Sequence, residues 1–143
     1  MFLGEYQHSV DDKGRLVLPS KFRDRLQDGL VVTKGQDRCV YVYPMDRWEE
    51  ELAKLGALPR TSKRNRNFVR ALLGAAVDQQ MDGQGRIQLP QNLRDYADLG
   101  KDVAVVGVGD RIEVWEPETW RALGEEADDL YSGIDEALGE DGI

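Results

Sequence analysis

An aspartate and an arginine stand four positions apart at two places in the chain, and each pair encloses a glycine. The segment Asp11-Asp12-Lys13-Gly14-Arg15-Leu16-Val17-Leu18-Pro19 returns as Asp82-Gly83-Gln84-Gly85-Arg86-Ile87-Gln88-Leu89-Pro90. Asp tolerates positive φ and Gly adopts it without steric cost, so both segments are typical of a tight hairpin turn. Across such a turn the aspartate and the arginine lie close enough to pair.

Two interpretations of these hairpins are open from chemistry alone. One is an ordinary ion pair beside a glycine turn. The other is DNA contact, because arginine makes bidentate contacts with phosphate or guanine and a two-stranded ribbon fits the major groove. The first hairpin favours contact more than the second, since Lys13 and Arg15 lie at its turn and Lys21 and Arg23 follow closely.

A second basic segment, residues 60–67, contains four positively charged side chains and is followed by a fifth. The bases are Arg60, Lys63, Arg64, Arg66 and, one turn later, Arg70. They could contact phosphates. The favoured interpretation is a solvated helix face whose bases pair with acids such as Glu49, Glu50 and Glu51.

The elements that position these residues follow from the repeat. Its similarity extends over about 35 positions, first at an offset of 71 residues and then of 73, so the chain contains two copies of one small unit. Each copy is predicted to be strand, turn, strand, short helix, strand, turn, strand. Tyr6, His8 and Val10 show the alternation of a half-buried strand. Gly107-Val108-Gly109 is interpreted as part of a turn with two extra residues in copy two.

Helices are expected after each copy and between them. A short helix over 21–26 follows Ser20, which is predicted to cap it, and Asp46 is predicted to cap a helix that ends near Leu55. A third helix starts at Thr61 or Ser62 and runs to about residue 76. A fourth covers 118–130, and the chain is expected to fray from Gly133 onward.

Composition limits the kind of protein. The chain has 143 residues and a net charge of −8, but the charge is uneven: residues 1–75 carry +4 and residues 76–143 carry −12. An acidic tail on a mildly basic body is compatible with a nucleic-acid partner. The single cysteine, Cys39, fits a reducing cytosol and a place in the core, and we expect neither a signal peptide nor a membrane span.

No arrangement of residues suggests an enzyme. The one histidine, His8, has no cysteine or carboxylate cluster near it in sequence, so packing or an interface contact is expected rather than a metal site. No nucleophile–base set, phosphate loop or carboxylate dyad can be assembled. We expect no cofactor, no metal and no small-molecule ligand.

The sequence resembles the MraZ family of bacterial transcriptional regulators. The matching segments are 1–4, the 11–19 hairpin, 64–75, 80–86, 113–115 and 119–120. The resemblance implies an α+β, β-rich fold of two tandem SpoVT-AbrB domains, swapped-hairpin barrels that form a pseudo-dimer within one chain, with helices after each copy. It also implies a ring-shaped homo-oligomer that binds double-stranded DNA at promoter repeats of the division and cell-wall gene cluster, in the cytoplasm and nucleoid.

Carried over by position, the resemblance gives the site and the domains. DNA contacts are predicted for Lys13, Arg15, Lys21, Arg23 and Arg86, and Asp11 and Asp82 are predicted to orient the arginines. The expected division is 5–47 for domain one, 48–75 for a helical connector, 76–119 for domain two and 120–143 for a C-terminal helix and acidic tail. The alternative is an antitoxin-like module that binds a protein through Trp48, Trp115 and Trp120.

Overall fold

The computed structural model describes residues 1–133, so most of the tail for which fraying is predicted lies outside the described residues. The strands are β1 (Phe2–Ser9), β2 (Arg15–Val17), β3 (Leu30–Lys34), β4 (Val40–Pro44), β5 (Val77–Gln79), β6 (Arg86–Gln88), β7 (Asp102–Gly109) and β8 (Ile112–Trp115). The helices are α1 (Ser20–Arg23), α2 (Met45–Gly56), α3 (Lys63–Gly74), α4 (Gln91–Tyr96) and α5 (Pro117–Ser132). None of these helices has the length and hydrophobicity needed to cross a membrane.

The two copies exchange their first strands. A six-stranded antiparallel sheet has the order β1-β7-β8-β4-β3-β5. β1 of copy one pairs along its whole length with β7 of copy two, and β5 of copy two pairs with β3 of copy one. The return strands β2 and β6 pair with each other in a separate ribbon. The predicted α+β fold, with two swapped-hairpin domains joined as a pseudo-dimer within the chain, is confirmed.

One of two hydrophobic cores lies where the two copies meet. Leu16 and Leu18 of copy one and Ile87 and Leu89 of copy two are almost completely buried in it. Alternation along β2 and β6 turns these apolar residues inward and leaves the polar neighbours outside. Neither copy encloses this core by itself, so the folding of one hairpin depends on the other.

The long helices cover the opposite face of the six-stranded sheet. Trp48 and Leu55 of α2, Leu72 of α3 and Trp115 at the end of β8 are buried there. Trp120 and Leu123 of α5 are partly buried against the same cluster. The helices therefore shield one face of the sheet, while the β2–β6 ribbon lies on the side of the other core.

The caps of the helices only partly follow the sequence predictions. Ser62 caps α3 as expected, since its Oγ accepts from the amide of Asn65 at 3.2 Å. The predictions for Ser20 and Asp46 are wrong: each lies inside its helix, and Pro19 and Pro44 precede α1 and α2 without a side-chain cap. Proline occupies the N-cap position of both helices, with φ −51° at Pro19 and −61° at Pro44, and its side chain cannot accept a hydrogen bond.

The Gly107-Val108-Gly109 segment is strand rather than turn, so that prediction is wrong. These residues are the end of β7 and pair with Gly4, Leu3 and Phe2 of β1. The chain reverses at Asp110 and Arg111 instead. A glycine is needed here for packing, because a Cβ on Gly107 would lie 2.5 Å from backbone atoms of β1.

Candidate nucleic-acid interface

The first turn is organised by the side chain of Asp11. Its Oδ1 accepts from the amides of Lys13 at 3.0 Å and Arg15 at 2.8 Å, and its Oδ2 accepts from Arg15 Nε at 2.7 Å. The amide of Gly14, at φ 78°, donates to the carbonyl of Asp11. One carboxylate thus shapes the loop and fixes the direction of the arginine.

The second turn repeats this arrangement. Asp82 Oδ1 accepts from the amides of Gln84 and Arg86, and Oδ2 accepts from Arg86 Nε at 2.7 Å. The backbone hydrogen bond from Arg86, followed by that from its side chain, lowers the pKa of Asp82 to about 2. The pKa of Asp11 is lowered for the same first reason. Because a lowered pKa favours the ionised form, both carboxylates stay charged at a lower pH than a free aspartate does.

The two turns lie at opposite ends of the short antiparallel β2–β6 ribbon. In its register Arg15 lies opposite Gln88, Leu16 opposite Ile87 and Val17 opposite Arg86. Leu16 and Ile87 are buried, so the alternating residues face outward. The outer surface of the ribbon therefore presents both arginines of the repeated motif on one face, one near each end.

Each turn is also tied to the other copy. The amide of Leu18 donates to the carbonyl of Gly85 at 3.0 Å, and the amide of Leu89 donates to the carbonyl of Gly14 at 2.8 Å. Gln88 Nε2 donates to the carbonyl of Lys13 at 2.7 Å. Each turn is thus held against the return strand of the other copy.

Arg23, a predicted DNA contact, is placed beneath the opposite turn. Its Nε donates to the carbonyl of Leu18 at 3.0 Å, and a Cβ on Gly85 would overlap its guanidinium group. Arg94 makes the matching contact, with Nε 2.9 Å from the carbonyl of Leu89 and its guanidinium group beside Gly14. Arg23 and Arg94 support the turns, and sequence reasoning missed this pair although the repeat aligns them.

The other predicted site residues are distributed around the ribbon. Lys13 and Lys21 are exposed, whereas Arg15 and Arg86 are partly buried against their aspartates. His8 is partly buried, and burial followed by the charge of Arg23 lowers its pKa. Of the five bases for which DNA contact is predicted, two are exposed lysines, two are arginines paired with their aspartates, and one, Arg23, contacts the opposite turn.

The basic segment 60–67 does not pair with the acids predicted for it. Among the ion pairs of residues 1–133, Glu50 and Glu51 interact with Arg47 of their own helix. Arg66 instead donates through Nη1 to the carbonyl of Arg60 at 2.9 Å. The interpretation that these bases are neutralised by the α2 acids is wrong.

The tryptophans are poor anchors for a protein partner. Trp48 and Trp115 are buried in the core under the helices. Trp120 is partly buried, and its indole N–H donates to Glu5 Oε2 at 2.9 Å. Cys39 is fully buried, and burial raises the pKa of its thiol, as expected for a core cysteine rather than a nucleophile.

Replacing Gly85 by alanine is expected to weaken both the fold and DNA binding. The residue has φ 73°, which costs an L-residue roughly 1–2 kcal/mol. The new methyl group would also displace the Arg23 guanidinium from the carbonyl of Leu18. The expected loss is about 2 kcal/mol in the free energy of unfolding, measured by urea denaturation, and about tenfold in DNA affinity.

Gly83→Ala is the matched control for Gly85→Ala. Gly83 lies in the same loop, has no atom within 4 Å of an added methyl group and shows no positive φ. The first copy carries Asp12 at this position, so a side chain is accepted there. Equal losses from the two substitutions would contradict the support assigned to Arg23.

A comparison with family models matches the chain twice. The model described as "MraZ protein, putative antitoxin-like" matches residues 1–71 and again residues 72–138. Each match contains one of the two Asp-x-x-x-Arg turns and the strands that its copy contributes to the shared sheet. The repeat seen in the sequence and the exchange seen in the structure thus correspond to two units of one family.

Proposed function

The chain belongs to the MraZ family, a family of regulatory proteins, and on that premise we propose that it is a sequence-specific DNA-binding transcriptional regulator. Its targets are promoter repeats of the division and cell-wall gene cluster, and it binds them as a ring-shaped homo-oligomer in the nucleoid. The observation that carries the proposal is the ribbon of β2 and β6, which presents Arg15 and Arg86 on one outer face, one at each end.

The chemistry of the turns supports DNA reading by the arginines. The side-chain hydrogen bonds of Arg15 and Arg86 within residues 1–133 use Nε alone, which leaves the two Nη groups of each for a partner. Guanine N7 and O6, or two phosphate oxygens, accept from such a pair of donors. Asp11 and Asp82 hold each guanidinium in place, so less conformational freedom is lost when DNA binds.

The lysines supply contacts that depend less on base sequence. Lys13 is exposed at the tip of the first turn and Lys21 is exposed on α1. A lysine ammonium is a flexible point charge, suited to phosphate rather than to a base edge. Because Gln84 occupies the position of Lys13 in copy two, the first hairpin carries more of the affinity.

Assembly into a ring explains how a chain with a net negative charge can bind DNA. With a net charge of −8, a single chain is repelled by DNA at long range. A ring brings several hairpins to adjacent repeats at once, and linked weak contacts gain affinity over any one of them. In the proposed domain organisation, one DNA-contacting domain precedes the helical connector and the other follows it. The four segments are 5–47, 48–75, 76–119 and 120–143.

One experiment tests this proposal as a whole. The protein is footprinted on the DNA upstream of its own gene, and the free and bound particles are weighed by native mass spectrometry. Protected repeats and a particle of several chains are the expected result. Protein that protects no upstream DNA but captures a specific protein would support the antitoxin-like alternative and contradict the proposal.

A further inference from the structure

An apolar groove with a basic rim lies between α2 and α3. Leu52, Leu58, Val69 and Leu73 line a cavity of about 390 Å³, which we call the basic groove. Its rim carries three arginines: Arg60, Arg66 and Arg70. Leu52 and Leu73 are 40% and 36% exposed, so apolar surface that could be buried is open to solvent.

The charged residues that line the basic groove are all arginines. Residues 59–77 contain five bases and no acid, and none of the five takes part in an ion pair within the described chain. DNA could neutralise the arginines of the rim, but its phosphates would not bury the leucines on the floor of the groove. A helix that offers both acids and apolar side chains fits the rim and the floor together.

The far end of α5 has this character. We call residues 125–132 the acidic helix end. This segment contains no base and four acids, which are Glu125, Glu126, Asp128 and Asp129. Leu130 and Tyr131 in the same turns are 67% and 78% exposed. Such large apolar side chains next to acids complement the basic groove in both hydrophobicity and charge.

The two surfaces lie toward opposite ends of one sheet. α2 and α3 pack on β3 and β4, whereas α5 packs on β7, the neighbour of the edge strand β1. A contact between two basic grooves, or between two acidic helix ends, would bring like charges together. The complementary contact is therefore head to tail, the kind that generates rings when the rotation between neighbours closes.

We propose that the acidic helix end of one copy docks in the basic groove of the next copy, and that this contact joins the chains into the assembly. The inference rests on the proposed self-association and identifies the surfaces that produce it. Leu130 and Tyr131 bury against the leucines of the groove, while Glu126 and Asp128, which flank this apolar pair on the helix, face the arginines of its rim. The hairpins take no part in the contact, so they stay available to DNA.

Charge reversal tests the contact in the full-length protein. The groove variant is Arg60→Glu with Arg70→Glu, and the helix variant is Glu126→Lys with Asp128→Lys. Each places like charges across the contact, and self-association should weaken by on the order of a hundredfold, leaving particles of one 16.2 kDa chain. Unfolding by urea, unchanged from wild type, shows that these exposed substitutions leave the fold intact.

Mixing the two variants gives the decisive result. The unaltered helix end of the groove variant fits the unaltered groove of the helix variant, and the two altered surfaces are opposite in charge. An equal mixture should therefore regain the multi-chain particle that neither variant forms alone. Variants that assemble as wild type does would overturn the contact and leave the proposed assembly standing. A wild-type particle of one chain would overturn both.

Two further measurements separate the other possible occupants of the groove. Deleting residues 134–143 should leave the number of chains in the particle unchanged. Loss of assembly on that deletion, with no effect of the helix variant, would assign the groove to the tail and overturn the proposal. If the groove variant instead loses DNA binding while its particle stays intact, the rim contacts DNA and the proposal is wrong.

Discussion

Arg15→Ala is expected to weaken binding to upstream DNA by about 10- to 100-fold per hairpin engaged, with the particle mass unchanged. The range follows from the roughly 1–3 kcal/mol that one bidentate arginine–base contact contributes. Several chains bind together, so the loss for the whole particle is larger and can abolish a gel shift. The effect on folding is small, because the ion pair with Asp11 is exposed and such pairs contribute about 0–1 kcal/mol.

A matched control for Arg15→Ala is Arg25→Ala. Arg25 also pairs with an exposed aspartate, Asp46 at 2.8 Å, and its replacement also removes one positive charge, but it lies outside the ribbon. This variant should change the affinity by no more than its general charge effect. Equal affinity of the Arg15→Ala variant and the wild type across a salt series would remove Arg15 from the proposed interface.

The salt series also separates a phosphate contact from a base contact. Losing one phosphate contact makes the slope of log affinity against log salt shallower by about 0.9, with specific and nonspecific DNA affected alike. Losing a base contact leaves that slope unchanged and reduces the preference for the promoter repeat over nonspecific DNA. We expect the second pattern for Arg15→Ala and the first for Lys13→Ala, with a smaller loss for Arg86→Ala than for Arg15→Ala.

Much of the site could be predicted because it is local. An aspartate four residues before an arginine, with glycine between them, specifies a turn in which one carboxylate caps two amides and the arginine. Asp11 and Asp82 do this with almost the same distances. Repetition along the chain also gave the two-copy organisation, since similar sequences in similar order form similar units.

The contacts between the two copies could not be predicted from local sequence. Whether Arg23 faces DNA or the opposite turn depends on where Gly85 of the other copy lies, 62 residues further along the chain. From the sequence alone, Arg23 is simply another basic residue close to the first hairpin, which is why a DNA contact is predicted for it. The alignment of Arg23 with Arg94 was a usable signal, because a base retained by both copies while Lys13 and Lys21 are replaced points to a role that both copies need.

Gly107 shows the same difficulty for the fold. Two glycines around one valine are typical of a turn, and only the exchange of β1 places another backbone against them. Close approach of two strands is an equally good reason for glycine, but it depends on a partner about a hundred residues away. The same residue type thus has two physical explanations that local sequence does not distinguish.

Gly107→Ala should therefore destabilise the protein by about 2–3 kcal/mol, as expected when a methyl group is forced into a closely packed site. Its Cβ would meet Leu3 N and Phe2 C at 2.5 Å, and backbone atoms held in a ladder cannot move aside as a flexible side chain can. Urea unfolding measures the loss, and faster amide exchange confined to β1 and β7 would locate it.

Gly100→Ala is the control for that substitution, since Gly100 is exposed with no atom within 4 Å of the added methyl group, and its effect should stay within about 0.5 kcal/mol. The pairing of Gly107 with Gly4 lies at the far end of β1 from the Asp11 turn. The DNA affinity of folded Gly107→Ala protein should consequently match wild type, unlike that of Gly85→Ala. A Gly107→Ala protein as stable as wild type would mean that β1 does not pair with β7, and the exchange of strands between the copies would have to be abandoned.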